Sequence, residues 1–423
     1  MNRRQCYIMI LLLAFLASID SFSQKRKRQE EDFGFNLKHS LQKKTIIPFK
    51  VYSNLVVIKV VVNDKDTLNF ILDTGVSSIF LTDPDLGKKM KFNYVRKVQI
   101  TGAGEEKALE ANITIGHKVQ IGDVVGNHQN LVVLSEDILR LSEFMGVPIH
   151  GIFGHDLFDN FVVTIDYATS QLTLTRPNKF KLKKKHGDRY PIVVTQNKPY
   201  TDSFFITAYN SEETPVRLVI DTGAGHALLL NESETKIPLP DKVIRANLGR
   251  GLNGEIFGHI GRVSSLRMGE IELKDVLASF PDSLSFSMKF PASDNDRQGS
   301  IGCEFLRRFK VTFNYSEGYM ALKPIKKKIK EGFEQDMSGL SIKATGKDYK
   351  EFIVTEVSDD SPAYYAGMQE GDQIIFLNNV NMKDLTISDI IRVLARKEGK
   401  QIEVFFRRKG ELEFASFELK RII

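Results

Sequence analysis

The sequence predicts a mostly β chain built of two duplicated lobes, followed by a small α+β module. Three observations carry this. Short runs of β-branched and aromatic residues, punctuated by Gly, Asn and Asp, fill residues 46 to about 175. The same landmarks return about 148 residues further on. From about Met337 the pattern changes, and one segment of helical spacing lies among strand-like runs. At 423 residues the chain also exceeds what a single compact core fills.

The chain begins with the signature of a secretory leader. Arg3 and Arg4 precede an apolar run, IMILLLAFLA at residues 8–17, and small and polar residues follow to Ser23. Residues 1–23 are read as a cleaved signal peptide, because the run is too short for a permanent anchor. The mature chain is expected to have no membrane span and to be exported, periplasmic or secreted. Cys6 falls in the leader, so Cys303 stands alone afterwards and no internal disulfide is possible. Residues 24–45 are polar, charged and aperiodic, and read as a flexible lead-in.

Lobe 1 is assigned to residues 46–180. The stretch RPNKFKLKKKHGDR (176–189) carries seven Lys/Arg against one acid and reads as a solvated inter-lobe linker. Lobe 2, residues 188–325, repeats the first in register. Asp73-Thr74-Gly75 returns as Asp221-Thr222-Gly223 (221 − 73 = 148), Gly154 as Gly302 and Asp166-Tyr167 as Asn314-Tyr315, both also 148 apart. Gly122 and Gly269 differ by 147. Four landmarks held within one residue indicate a duplicated domain. The formal net charge of +6 is modest and forms no stripe, which argues against nucleic acid as a partner.

The chemistry is expected in ILDTGVSS (71–78) and VIDTGAGH (219–226), where an acid follows an apolar strand and precedes Thr-Gly. Gly75 and Gly223 suit a tight turn or a close approach of backbone. If the two turns meet across a pseudo-two-fold axis, Asp73 and Asp221 face one another. Two carboxylates that close cannot both ionise, so the pair shares one proton. The charged member then activates water as general base, and the protonated one assists as general acid. No metal or cofactor is called for: the histidines show no HExxH spacing and there is no GxSxG elbow.

At these residues the chain resembles the pepsin-like and retropepsin-like aspartic peptidases. The resemblance spans about residues 46–325 and implies a bilobal acid-protease fold of two β-barrel-like lobes around a cleft. It further implies that Ile152-Phe153-Gly154 and Ser300-Ile301-Gly302 pack behind the catalytic loops, and that Thr74 and Thr222 hydrogen-bond across the lobes. Gly102, Gly104, Gly249 and Gly251 fall where the family carries flaps, and two flaps are closer to the retroviral dimers than to pepsin. Val76 and Ala224 replace the hydroxyl residue that usually follows DTG, which should raise the carboxylate pKa and give a milder pH optimum. Gly225-His226 is also unusual; His226 is expected to touch solvent or backbone. His155 and Cys303 are equivalent (155 + 148 = 303), and Cys303 reads as a small buried hydrophobe.

Residues 335–423 form the last domain. Ser361 to Ile375 resembles the SPA-x-x-AG-x-x-x-GD signature of bacterial PDZ domains. The resemblance implies that Ser338, Gly339, Leu340 and Ser341 form a loop whose N–H groups receive a peptide or protein C-terminus, with the partner added as a strand. The function expected is an exported aspartic-type endopeptidase acting on polypeptides, with PDZ-mediated capture. The alternative is a catalytically inactive envelope peptide-binding protein, and sensitivity to a statine inhibitor separates the two.

Overall fold

The computed structural model describes residues 34–100, 102–104, 108–209, 212–231, 235, 237–282 and 297–423. The expected leader and residues 24–33 lie outside the described residues. Each lobe is a mixed sheet closed into a ring. In lobe 1, Asp66–Leu72 pairs antiparallel with Leu55–Val62 and parallel with Gly151–Phe153. The ring closes because Leu109–Ile121 pairs with both Leu55–Val62 and Val124–Leu134. In lobe 2, Glu213–Ile220 runs parallel to Gly299–Ile301, and Gly254–Met268 closes the ring between Lys198–Thr207 and Ile271–Pro281. The ends of the two acid-bearing strands, Phe70-Ile71-Leu72 and Leu218-Val219-Ile220, are buried on both faces, so they read as continuous apolar runs without alternation.

A third sheet joins the lobes. Val162–Asp166 pairs antiparallel with Phe309–Asn314, with Thr164 opposite Thr312 and their hydroxyls 2.9 Å apart. Each of these threonines therefore meets its own duplicate, 312 − 164 = 148 residues away, which marks the pseudo-two-fold axis. Gln171–Thr175 and Lys44–Pro48 extend this sheet on one side, Tyr319–Pro324 and Asp188–Pro191 on the other. One apolar core runs without a break through both lobes.

The part of the lead-in that is described is ordered. Phe35–Leu37 pairs with Val124–Leu134, and Lys44–Pro48 pairs with Gln171–Thr175. Phe35 and Leu37 alternate into the core, with the Phe35 ring 5.3 Å from that of Phe153. Gly126 makes room, since a Cβ there would lie 2.6 Å from the Phe35 ring. A three-residue alternation inside a charged stretch is too short to outweigh composition when read in one dimension. The basic stretch forms two single 3-10 turns, Pro177–Lys179 and Lys184–His186, and leaves residues 181–185 exposed.

The C-terminal domain is an antiparallel sheet with Leu340–Thr345 at one edge, packed on helix Ile387–Leu394. Thr386 and Asp389 form a capping box that starts this helix. Ser361 caps the short helix Pro362–Tyr365, and Asp372 is buried in a two-pronged pair with Arg408 at 2.6 and 2.7 Å. No helix among the described residues is long and apolar enough to cross a membrane.

Candidate active site

Both acids sit at strand ends fixed by the same local bonds. Asp73 N donates to Phe153 O at 2.9 Å and Asp221 N to Ile301 O at 2.8 Å, so each turn is tied to the strand behind it. The next residues along repeat the tie: His155 N donates to Val76 O, and Cys303 N to Ala224 O. Gly154 and Gly302 lie so near these turns that a Cβ would collide with Val76 O and His226 O.

The two turns interlock. Thr74 N donates to Thr222 Oγ1 and Thr222 N to Thr74 Oγ1, both at 3.0 Å. Each hydroxyl then donates to a carbonyl of the opposite lobe, Thr74 to Ile220 and Thr222 to Leu72. All four groups are buried, where an unpaired N–H or C=O is costly. This brings the Asp73 and Asp221 carboxyls into hydrogen-bonding contact. Gly223 is required here for close approach: any Cβ would strike the Asp73 carboxyl, and its φ is not in the left-handed region.

Burial, then the charge of Asp221, raises the Asp73 pKa well above its ordinary value; the Gly75 N–H, donating at 2.6 Å, opposes the shift. Gly223 N donates to Asp221 Oδ1 at 2.9 Å in the same way. Val76 and Ala224 contribute no hydroxyl, as their side chains dictate. The pair can therefore hold one proton and one charge side by side beneath the cleft.

Two hairpins cover the pair. The tip of the lobe 2 hairpin, between Ile244–Gly251 and Gly254–Met268, meets residues 102–104, which lie between the lobe 1 strands Tyr94–Ile100 and Leu109–Ile121. Gly102 N donates to Asn253 Oδ1, and Asn253 N donates to Ala103 O at 2.9 Å. Gly102, Gly104 and Gly251 all lie in this contact. Gly249 does not: it occupies a bulge at φ +129 with open space around it. Nothing in the sequence distinguished Asn253, which is buried at the tip with 1% exposure. Asn253→Ala leaves the Gly102 N–H unpaired, a loss of about 1–3 kcal/mol from the closed tip. We expect a KM about 5–50-fold higher with kcat little changed, and an unaltered KM would dismiss the tip contact as a closure device.

Two tyrosines beneath the floor were visible only as repeat landmarks. Tyr167 reaches across to Cys303, its hydroxyl 3.6 Å from the sulfur, and Tyr315 packs on His155 with ring centroids 5.6 Å apart. Cys303 also donates to Thr222 O at 3.2 Å, and burial pushes its thiol up to about 12, so it is inert. His226 departs from the expected solvent or backbone contact: its Nε2 lies 3.0 Å from Ser300 Oγ. Burial lowers its pKa to about 4, against the opposing pull of Asp221. In the PDZ loop, Ser338 N and Gly339 N donate to Asp336, and Leu340 N to Ser338 Oγ. Three of the four N–H groups expected to meet a terminal carboxylate thus have partners within the chain.

Beside Asp73 lies a cavity of about 160 Å³, walled largely by Ile71, Phe80, Leu139, Leu141, Ile152 and Leu252. Arg250, which pairs with Glu255 at 2.6 Å and donates to Ile138 O, borders it.

The fold and this paired-acid floor define an aspartic-protease architecture, and comparison with known families agrees. The aspartyl protease family model matches residues 58–157 and 207–305, and a PDZ domain model matches residues 353–408. The chain thus carries two aspartyl protease lobes followed by a C-terminal PDZ domain. No curated protein matches it. Among solved structures it is similar to a photosystem II D1 C-terminal processing protease, at 23% identity over 21% of this chain and 23% of that one, with a TM-score of 0.20. The chain spans about a quarter of that structure's length, and so partial a likeness carries no argument.

Proposed function

We propose that this protein is an exported aspartic endopeptidase that cleaves extended polypeptides with one water held between Asp73 and Asp221. The observation that carries the reading is the contact of the two carboxyls, one from each lobe, with the Asp73 pKa raised by burial and by its partner. The charged acid takes a proton from the water as it attacks the scissile carbonyl. The protonated acid gives its own to the carbonyl oxygen. The two flaps meet through Gly102, Ala103 and Asn253, and the cavity beside Asp73 is about as large as one known to hold benzene (roughly 150 Å³). An aromatic or branched aliphatic residue next to the scissile bond is therefore the expected preference. Export is supported by Arg3, Arg4 and the apolar run at residues 8–17. Capture of peptide by the PDZ domain, along the edge strand Leu340–Thr345, is the accompanying role.

The test is digestion of a diverse peptide library by the mature protein, with and without a statine inhibitor. Inhibited cleavage beside apolar residues is expected; an intact library, or cleavage indifferent to the inhibitor, would falsify the reading.

The pH profile follows from two groups. The pair works while it holds a single proton, and raising the upper pKa extends that window toward neutrality. His226 acts on the acid side. Its folded pKa lies below the ordinary 6.5, so the stability it contributes is complete above 6.5 and is lost as pH falls toward 4. A bell-shaped profile centred well above the gastric range is expected, and a maximum below about pH 3 would contradict both arguments.

A further inference from the structure

The five-residue helix Leu141–Met145 belongs to two sites at once. Leu139 and Leu141 form part of the cavity wall beside Asp73. Met145 is fully buried in one apolar cluster with Ile71, the residue two before Asp73, and Cys303. The outer side of the same helix packs on the PDZ domain, against Leu340–Thr345 and Ile387–Leu394. Glu143 lies 3.7 Å from Lys343, and a Cβ on Gly146 would come 3.0 Å from Ile387 Cγ1. Nearby, Ser53 N donates to Ser388 Oγ at 2.9 Å.

Those two PDZ elements flank the groove in which such domains receive an extended peptide as an added strand. The bond from Met337 N to Leu394 O marks the loop end of the groove. The lobe 1 helix covers the other end, at Ile387. It is bounded by two left-handed residues, Arg140 at φ 45 and Gly146 at φ 66, so it is set as a unit between two sharp bends.

The geometry points to a linkage: the Leu141–Met145 helix closes the far end of the PDZ groove while supporting the wall of the catalytic cavity, so that a peptide occupying the whole groove displaces the helix and reshapes the cavity. Linkage of this kind is reciprocal, and a ligand in the cleft changes the groove by the same factor. Glu143 and Gly146 are positioning residues that act through Leu139 and Leu141. The kinetic consequence rests on the endopeptidase reading; the mechanical one does not.

The experiment uses the full mature chain. Gly146→Val places a branched side chain at φ +66 against Ile387, and Glu143→Lys sets two like charges together. Both are expected to raise KM for an apolar peptide about 5-fold or more with kcat within about twofold. Adding Lys343→Glu to Glu143→Lys should restore the KM, although Lys343 lies in the PDZ domain. Amide exchange on the same variants should show residues 139–146 and strand Leu340–Thr345 losing protection together. The sequence contains no Trp, so Phe144→Trp, at a half-exposed position on the helix, adds an emission reporter of its release. Unchanged exchange in both variants, loss confined to one side, or a freed helix with unaltered KM would each overturn the linkage. A wild-type protein that cleaves nothing counts against the endopeptidase reading alone, because exchange and emission still decide whether the helix joins the two sites.

Discussion

Asp73→Asn is expected to lower peptide cleavage by about four orders of magnitude, and Asp221→Asn to do the same. An amide can neither carry the charge that activates water nor share the proton that its partner gives to the carbonyl. The pair acts as a unit, so the double variant should be no slower than either single one. Folding responds in the opposite direction. The folded pKa of Asp73 lies well above its ordinary 3.8, because burial and the charge of Asp221 both oppose ionisation. The stability this group contributes is complete below 3.8 and is lost as pH rises through the folded value. Asn does not titrate. Asp73→Asn should therefore melt at a higher temperature than the wild type at pH 7, and the difference should shrink by pH 3.5. A variant that melts lower at pH 7, or that keeps a tenth of the activity, would remove the paired-acid account.

Thr222→Ala carries the second largest effect. The hydroxyl accepts from Thr74 N at 3.0 Å and donates to Leu72 O at 2.9 Å, and neither partner has water to turn to. Two buried groups left unpaired cost about 1–3 kcal/mol each, a large share of the stability of an ordinary domain. The same bonds hold the acids together across the lobes. A displacement near 1 Å at a reacting centre costs about 100-fold in rate, and that is the loss expected in kcat. Thr222→Ser keeps the hydroxyl and should recover most of both properties. Thr74→Ala removes the mirror-image bonds and should behave alike, with the double change less than additive because the bonds form one network. Denaturant melts and single-turnover kinetics on the four variants check this. Full activity in Thr222→Ala would mean that the acids are held by something other than the interlocked turns.

Much of the site was readable because duplication writes the same local pattern twice. The apolar strands that end at Asp73 and Asp221, the glycines behind them and the common offset of 148 are all short-range or periodic features. The offset also foretold which residues are equivalent. It did not tell that Thr164 and Thr312 would touch, because contact across an axis depends on how two finished lobes dock; the contact of Thr74 with Thr222 was expected from the family resemblance and not from the offset. Over residues 34–45 the chain is ordered where a flexible lead-in was expected, for a related reason. Phe35 is stabilised by contact with Gly126 and Phe153, partners 126 − 35 = 91 and 153 − 35 = 118 residues away that composition cannot register.

By itself, then, the sequence determined the two lobes, the pair of acids, the glycines that let them approach and the PDZ module, since each is written in local pattern and repeat. Only tertiary structure decided the contact of Thr164 with Thr312, the Asn253 flap contact, the crossing of Tyr167 to Cys303 and the seating of the PDZ domain on helix Leu141–Met145. Those features rest on groups far apart in the chain, and their energies come from burial and pairing that exist only once the lobes are packed.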